Sequence, residues 1–191
     1  VPPPPPPSWT ANLTSTVPVP GPAGFVYADL PNRSIAMVID VIAMFFVYVI
    51  VGIIAVAIFG TSGDFIQSPS TLSLIVQAVI SYAIWFAYFA GMWVTQRGTL
   101  GMKVLGMQIG DQADGRTLTW GQGTTRFAVM FGPQIVIGIL TAFIASAGVL
   151  GWIGFLWFIY VLYSIASSPT KQGIHDKYAK TMVVKTARRA G

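Results

Sequence analysis

The chain has 191 residues, of which 54% are apolar and 9% charged, with a formal net charge of +5. Soluble domains carry about 25% charged residues, so there are too few charges here to cover a globule, and most of the surface must meet lipid or other protein. The absence of cysteine excludes disulfides, iron–sulfur clusters and thiolate zinc sites, and the single histidine, His175, excludes a haem held by two histidines of this chain.

Residues 1–31 read as a polar, proline-rich tail. Pro2, Pro3, Pro4, Pro5, Pro6 and Pro7 favour the polyproline II form, which has no internal hydrogen bonds. Two readings stand side by side: a solvated spacer, or an arm that docks on a partner through these prolines and Trp9. The opening lacks the basic start and apolar stretch of a secretory signal peptide. The missing initiator methionine implies processing or an incomplete start.

Four apolar segments follow, at 35–59, 72–94, 127–145 and 149–167. Each is near the roughly 20 residues that cross a bilayer as a helix. Gly148 and Gly151 break the last two into an antiparallel hairpin, with a re-entrant pair as the alternative. Arg33 precedes the first segment. Arg97, Lys103, Arg116 and Arg126 fall between the second and third. Lys171, Lys177, Lys180, Lys185, Arg188 and Arg189 follow the fourth. The connectors at 61–70 and 146–148 hold no Lys or Arg. Four spans therefore gather every cation on one face. The positive-inside rule makes that face cytoplasmic, with both termini there. Trp93 and Trp152, near span ends, read as headgroup anchors.

The loop 96–126 carries Met102, Val104, Leu105, Met107 and Ile109, then an Asp114-Gly115 turn signal and Thr117-Leu118-Thr119. This pattern predicts a short β-hairpin on the membrane surface, with 181–185 as a third strand and Trp120 closing the patch. An amphipathic interfacial helix over 102–109 is the alternative, and Gly101 and Gly106 count against it.

Asp40 is the only ionised residue in the first segment. A carboxylate there costs about 2.5–3.5 kcal/mol on insertion scales and calls for a partner or a water path. Arg33 stands seven residues earlier, two turns away on nearly the same face. Arg97 and Arg126, at the cytoplasmic ends of the next two spans, are better placed. One reading is a buried ion pair that fixes packing. The other is a carboxylate that carries a proton or cation. Asp40, Gln77, Gln134 and a few hydroxyls make a thin inventory for a transport path. His175-Asp176 is short of the three or four ligands a metal needs and reads as a loop pair, or as a site where Asp176 holds Arg97 or Arg126. No Ser–His spacing or phosphate loop is recognisable, so no enzyme, metal or cofactor is expected. The basic end suits anionic phospholipids, not nucleic acid.

Three stretches then resemble the RDD family, membrane proteins named for one arginine and two aspartates. They are Arg33-Ser-Ile-Ala-Met-Val-Ile-Asp40; Thr99-Leu-Gly-Met-Lys-Val-Leu-Gly106 with Gln108-Ile109, Asp114-Gly115-Arg116 and Arg126; and Gln172-Gly-Ile-His-Asp176-Lys177 with Ala179 and Thr181-Met-Val-Val. Leu100 stands where members often have proline, and Ala36-Met37 where a second arginine is common. The resemblance implies an all-α membrane protein of a bacterial plasma membrane. Residues 32–191 form its four transmembrane helices with a small cytoplasmic β-hairpin-like cap, behind the tail of 1–31. Arg33, Asp40 and Asp176 are the signature residues. Family members have no uniform activity: transport is proposed for some, and others look like accessory components. The resemblance implies a non-enzymatic accessory subunit of a larger integral membrane complex, with the respiratory cytochrome bcc–aa3 supercomplex as the candidate. A cation/proton antiporter using Asp40 is the runner-up, and a lipid- or small-molecule-binding module the third.

Overall fold

The structure, a computed structural model, describes residues 18–59, 71–143 and 150–186. The polyproline segment with Trp9, the 61–70 connector, the 146–148 turn and the last arginines lie outside those residues. The described chain is mostly helical, with a small antiparallel sheet at one end.

Helix α1 is Leu30–Phe59, five residues longer at its start than the apolar run. Asp29 is the reason. Its Oδ1 accepts from Asn32 N at 3.2 Å, its carbonyl takes the first helical bond from Arg33 N at 3.1 Å, and Pro31 sits in the first turn, where a missing N–H costs nothing. At 1.5 Å per residue this helix is about 45 Å long. It overshoots a hydrocarbon core of about 30 Å, so its first turns belong to the polar end.

Helix α2, Thr71–Gln96, contains a π-turn at Ala87–Gly91 and stops at Arg97, whose φ of 58° is left-handed. Helix α3 is the short Leu100–Val104, capped by the Thr99 hydroxyl, which accepts from Met102 N at 3.3 Å. Helix α4 is Trp120–Phe143 with Pro133 inside. It starts seven residues before the apolar run because Thr119 and Gln122 form a capping box: Thr119 Oγ1 accepts from Gln122 N at 3.2 Å, and Gln122 Oε1 accepts from Thr119 N at 3.0 Å. Helix α5 is Gly151–Ser167 and α6 is Ile174–Ala179. Three helices, α1, α2 and α4, are long and apolar enough to cross a membrane; α5 is apolar but shorter, at 17 residues.

The sheet corrects the expected cap. Strands β1, Phe25–Tyr27, β2, Met107–Asp111, and β3, Thr181–Thr186, lie in the order β1-β3-β2, both pairings antiparallel. Met107 faces Lys185 and Asp111 faces Thr181 across one side of β3, while Tyr27 faces Val184 across the other. The strand expected third in line is therefore the centre. The Asp111–Gly115 turn forms as expected, with Gly115 at φ 71° and its N–H on the Asp111 carbonyl at 2.9 Å. Residues 117–119 form no strand, because Thr119 is taken into the cap of α4. Trp120 opens that helix, largely exposed, instead of closing a patch. Of the 102–109 helix alternative only 102–104 is helical, as the end of α3. Residues 25–27, read as tail, are the outer strand.

The core joins sheet to membrane helices. Phe89, Trp93 and Phe127 are buried against Ile109, Met107 and Val183, with Trp85 and Phe131 stacking at ring separations of 5.1–5.3 Å. Trp93 is therefore a core residue, not a headgroup anchor, whereas Trp152 is exposed. Along α1, Phe45, Phe46, Ile50, Ile53 and Ile58 face outward, as a lipid-facing helix requires.

Helix α3 packs on α1 at Gly101. A Cβ there would meet the Ala36 backbone, 2.7 Å from its carbonyl carbon and 2.9 Å from its Cα. Replacing Gly101 with alanine should push α3 off α1 and destabilise the protein by about 1–3 kcal/mol, as overpacking does. Unfolding of the detergent-solubilised variant by denaturant checks this, with Gly132→Ala, where a Cβ meets nothing within 4 Å, as the neutral control.

Candidate functional site

Two polar constellations sit where α1, α2 and α4 meet the sheet. The first is built on Asp176, which is fully buried. Its Oδ2 takes Arg33 Nη1 at 2.6 Å and the Gly173 N–H at 3.0 Å; its Oδ1 takes Arg126 Nη1 and the Thr181 hydroxyl, the latter at 3.2 Å. The position follows from local sequence. Gly173 and Asp176 are the first residue and N3 of the α6 cap, so the carboxylate that closes its own helix start also faces inward.

Arg33 is fully engaged. Nε donates to the Ala28 carbonyl at 2.9 Å and Nη2 to the Lys171 carbonyl at 2.7 Å. Arg126 is held differently: Nη1 also donates to Thr181 Oγ1 at 2.8 Å, and the guanidinium lies over the Trp93 ring, 4.8 Å from its centroid. This is a cation–π contact in a desolvated place. The Arg126 Nε–H has no partner among the described residues. His175 Nε2 stands 3.6 Å from Asp176 Oδ2. Burial, with Arg126 and Arg33 nearby, pushes the His175 pKa well below its usual value, so the ring is neutral. Its Nδ1 is likewise unpartnered among the described residues.

A branch continues to the sheet. Lys185 on β3 donates to Asn32 Oδ1 at 2.7 Å, and Asn32 Nδ2 donates to Asp29 Oδ1 at 2.6 Å. Burial lowers the Lys185 pKa to about 8, with Asp29 pulling the other way.

The second constellation is Asp40. Its Oδ1 accepts from the Tyr88 hydroxyl at 2.7 Å and the Gly101 N–H at 2.7 Å, and its Oδ2 accepts from the Thr99 hydroxyl at 2.6 Å. Among the described residues no ion pair reaches it. The expected arginine partners are placed elsewhere. Arg33 and Arg126 serve Asp176, and Arg97 donates Nη2 to the Gly115 carbonyl at 2.5 Å, pinning the β2 turn. Asp40 is thus satisfied by the start of α3 and a tyrosine of α2, all neutral donors.

The structure accordingly brings Arg33, Arg126 and Asp176 together and leaves Asp40 and Arg97 each on its own. Thr181, Lys185, Asn32, Thr99, Tyr88 and Trp93 complete the networks without having been expected as site residues. Thr99 alone had a sequence signal, a threonine three residues before an N–H it caps. A cavity of about 580 Å³ lies beside both constellations, lined by Arg33, Arg126 and His175 and by apolar residues of α1 and α5. A second, of about 660 Å³, lies deeper among α1, α2, α4 and α5, lined by Trp85, Phe131 and Gln134 among others.

The family model described as the RDD family matches residues 27–180. An uncharacterised membrane protein of Bacillus subtilis strain 168, YteJ, is 32% identical over 124 residues, which is 65% of this chain and 58% of that protein. The chain therefore spans less than two thirds of that relative's length. No solved structure matches the chain.

Asp176→Asn should leave two buried guanidiniums without a counter-charge and cost about 3–5 kcal/mol, read as loss of denaturant resistance in detergent. The neutral His175 gives a second expectation. An unfolded chain takes up a proton as pH falls through about 6.5 while the folded ring does not, so stability present above that pH is lost below it. Melting temperatures from pH 8 to 5 should fall more steeply for the wild type than for His175→Gln.

Proposed function

The chain belongs to the RDD family, and from that premise we propose that it is a non-enzymatic accessory subunit, a four-span scaffold that packs against a larger membrane protein. The observation that carries this reading is Asp40. The one carboxylate deep in α1 is engaged by three donors of its own chain, and an acid so held is a fastener between α1, α2 and α3. A proton or cation carrier needs a polar route and broken helices around such a group. The described helices offer instead one π-turn, one proline beyond the first turn, and a few polar side chains already bonded to neighbouring helices.

The fourth span is α5, whose 17 residues sit at the lower limit for crossing. Four spans place both termini and the sheet in the cytoplasm. The gathering of Arg33, Arg97, Arg126, Lys180 and Lys185 around one sheet supports this orientation. In this reading the outward apolar face of α1 meets lipid or partner helices, Lys171, Lys177 and Lys180 meet anionic headgroups, and the proline arm with Trp9 straps the subunit to its partner. A respiratory complex as that partner rests on the family resemblance alone.

Purification through a tag on this chain in mild detergent should bring larger subunits with it at a fixed ratio, and deleting residues 1–20 should weaken that association while the membrane domain stays folded. A chain that always runs alone or as a small homo-oligomer rejects the accessory reading. In reconstituted vesicles the intact protein should show no pH-coupled cation flux. Flux that a folded Asp40→Asn variant abolishes would replace the scaffold with an antiporter.

A further inference from the structure

We propose that the cavity between α1 and α5 is a binding site for an anionic phospholipid, with its phosphate at the Arg126 end and an acyl chain along α1. The cavity holds about 580 Å³, within the range of small-molecule sites, and its two ends differ in chemistry. At one end stand Arg33, Arg126 and His175. Here Arg33, Arg126 and Lys185 stand against the carboxylates of Asp176 and Asp29, so this end keeps one excess positive charge in a place shielded from water. Asp40 also lines the cavity, but it lies two turns, about 10 Å, further along α1, and three neutral donors already engage it.

Arg126 supplies the second, independent observation. Its side chain is almost wholly buried, Nη1 is committed to Asp176 and Thr181, the guanidinium lies over Trp93, and Nε–H lacks an acceptor among the described residues. An unbonded buried donor on a charged group is costly, and a phosphate oxygen satisfies both the donor and the excess charge. At the other end Val38, Ile42 and Phe158 line the cavity and are themselves exposed on the membrane-facing surface. The cavity therefore opens sideways between α1 and α5, where an acyl chain enters from the bilayer. A free phosphate would leave this apolar half unfilled, and an uncharged amphiphile would leave the guanidinium excess.

The test is native mass spectrometry and thermal melting of the full chain, delipidated in detergent and supplied with phosphatidylglycerol, phosphatidylcholine, diacylglycerol or inorganic phosphate. Phosphatidylglycerol should be retained about tenfold more strongly than diacylglycerol, the effect of one charge-assisted hydrogen bond, and more strongly than phosphatidylcholine, whose choline cation opposes the guanidinium excess. Val38→Trp, on an exposed position of the cavity rim, should abolish that preference without loss of fold. Ile53→Trp, equally exposed on α1 but outside the cavity, should retain it, and Arg126→Lys, which keeps the charge and lacks the Nε–H, should reduce it. Equal retention of all lipids, a Val38→Trp variant that binds as the wild type does, or stabilisation by inorganic phosphate alone would each overturn the proposal.

Discussion

Asp176 is the point on which the polar end of the molecule depends. One carboxylate receives bonds from α1 through Arg33, from α4 through Arg126, from β3 through Thr181 and from its own helix start through Gly173. Two of those segments, α1 and α4, are distant in sequence. None of the arginines could be brought into this low-dielectric place alone, since an isolated buried charge is far costlier than any packing gain nearby. The carboxylate makes their burial tolerable, and the arginines in turn fix which helices stand side by side. Arg33 extends the constraint further, because its remaining donors close on the carbonyls of Ala28 and Lys171. The outer strand and the loop after α5 are thereby tied to the same centre.

Asp40 solves a different problem in a different way. Placed deep in an apolar helix, it pairs with no cation among the described residues and draws the start of the segment after α2 down to itself. The price of that choice is a close fit: α3 must approach α1 until a glycine is the only residue that Ala36 permits at position 101. Thr99 then has two tasks, donating to Asp40 and capping α3. Two hydroxyls and one amide, each a neutral donor, keep the acid satisfied without placing another charge in the membrane. A group whose bonds double as the anchor of a helix is poorly suited to release and rebind an ion, because each release would loosen α3.

Much of this was legible in the sequence. The apolar runs locate the helices, and the segregation of basic residues marks their polar end. Arg126 was one of the two partners expected for Asp176, whereas Arg33, weighed as a partner for Asp40, joins Asp176 instead. The helix starts were missed by five and seven residues, although Asp29 before Leu30-Pro31 and Thr119 before Gln122 are capping signals. The apolar runs begin only where lipid does, and hydropathy is silent about turns that sit above it. The sheet was harder. Residues 107–111 and 117–119 looked like a hairpin because the turn between them is real, yet a strand at 117–119 would compete with the cap of α4 for the same Thr119 groups. The pairing of β2 and β1 with β3 joins segments far apart in the chain, and no local pattern encodes such a partner. Asp40's true partners were hidden for the same reason: a backbone N–H and two hydroxyls leave no charge pattern to follow.

The signature arginine and two aspartates therefore do not form one site. Arg33 and Asp176 belong to a charged cluster at the sheet, whereas Asp40, two turns along the same helix, belongs to a neutral one that holds α3. Between the two clusters α1 is the shared wall, and the same wall borders the cavity that opens toward α5. This arrangement explains why α1 is so long. Its first turns must reach the sheet to deliver Asn32 and Arg33, its next two turns must reach Asp40 to seat α3, and only then does the helix become a plain apolar rod with Phe45, Ile50 and Ile58 facing outward. A shorter helix could serve the membrane or the polar end, but not both.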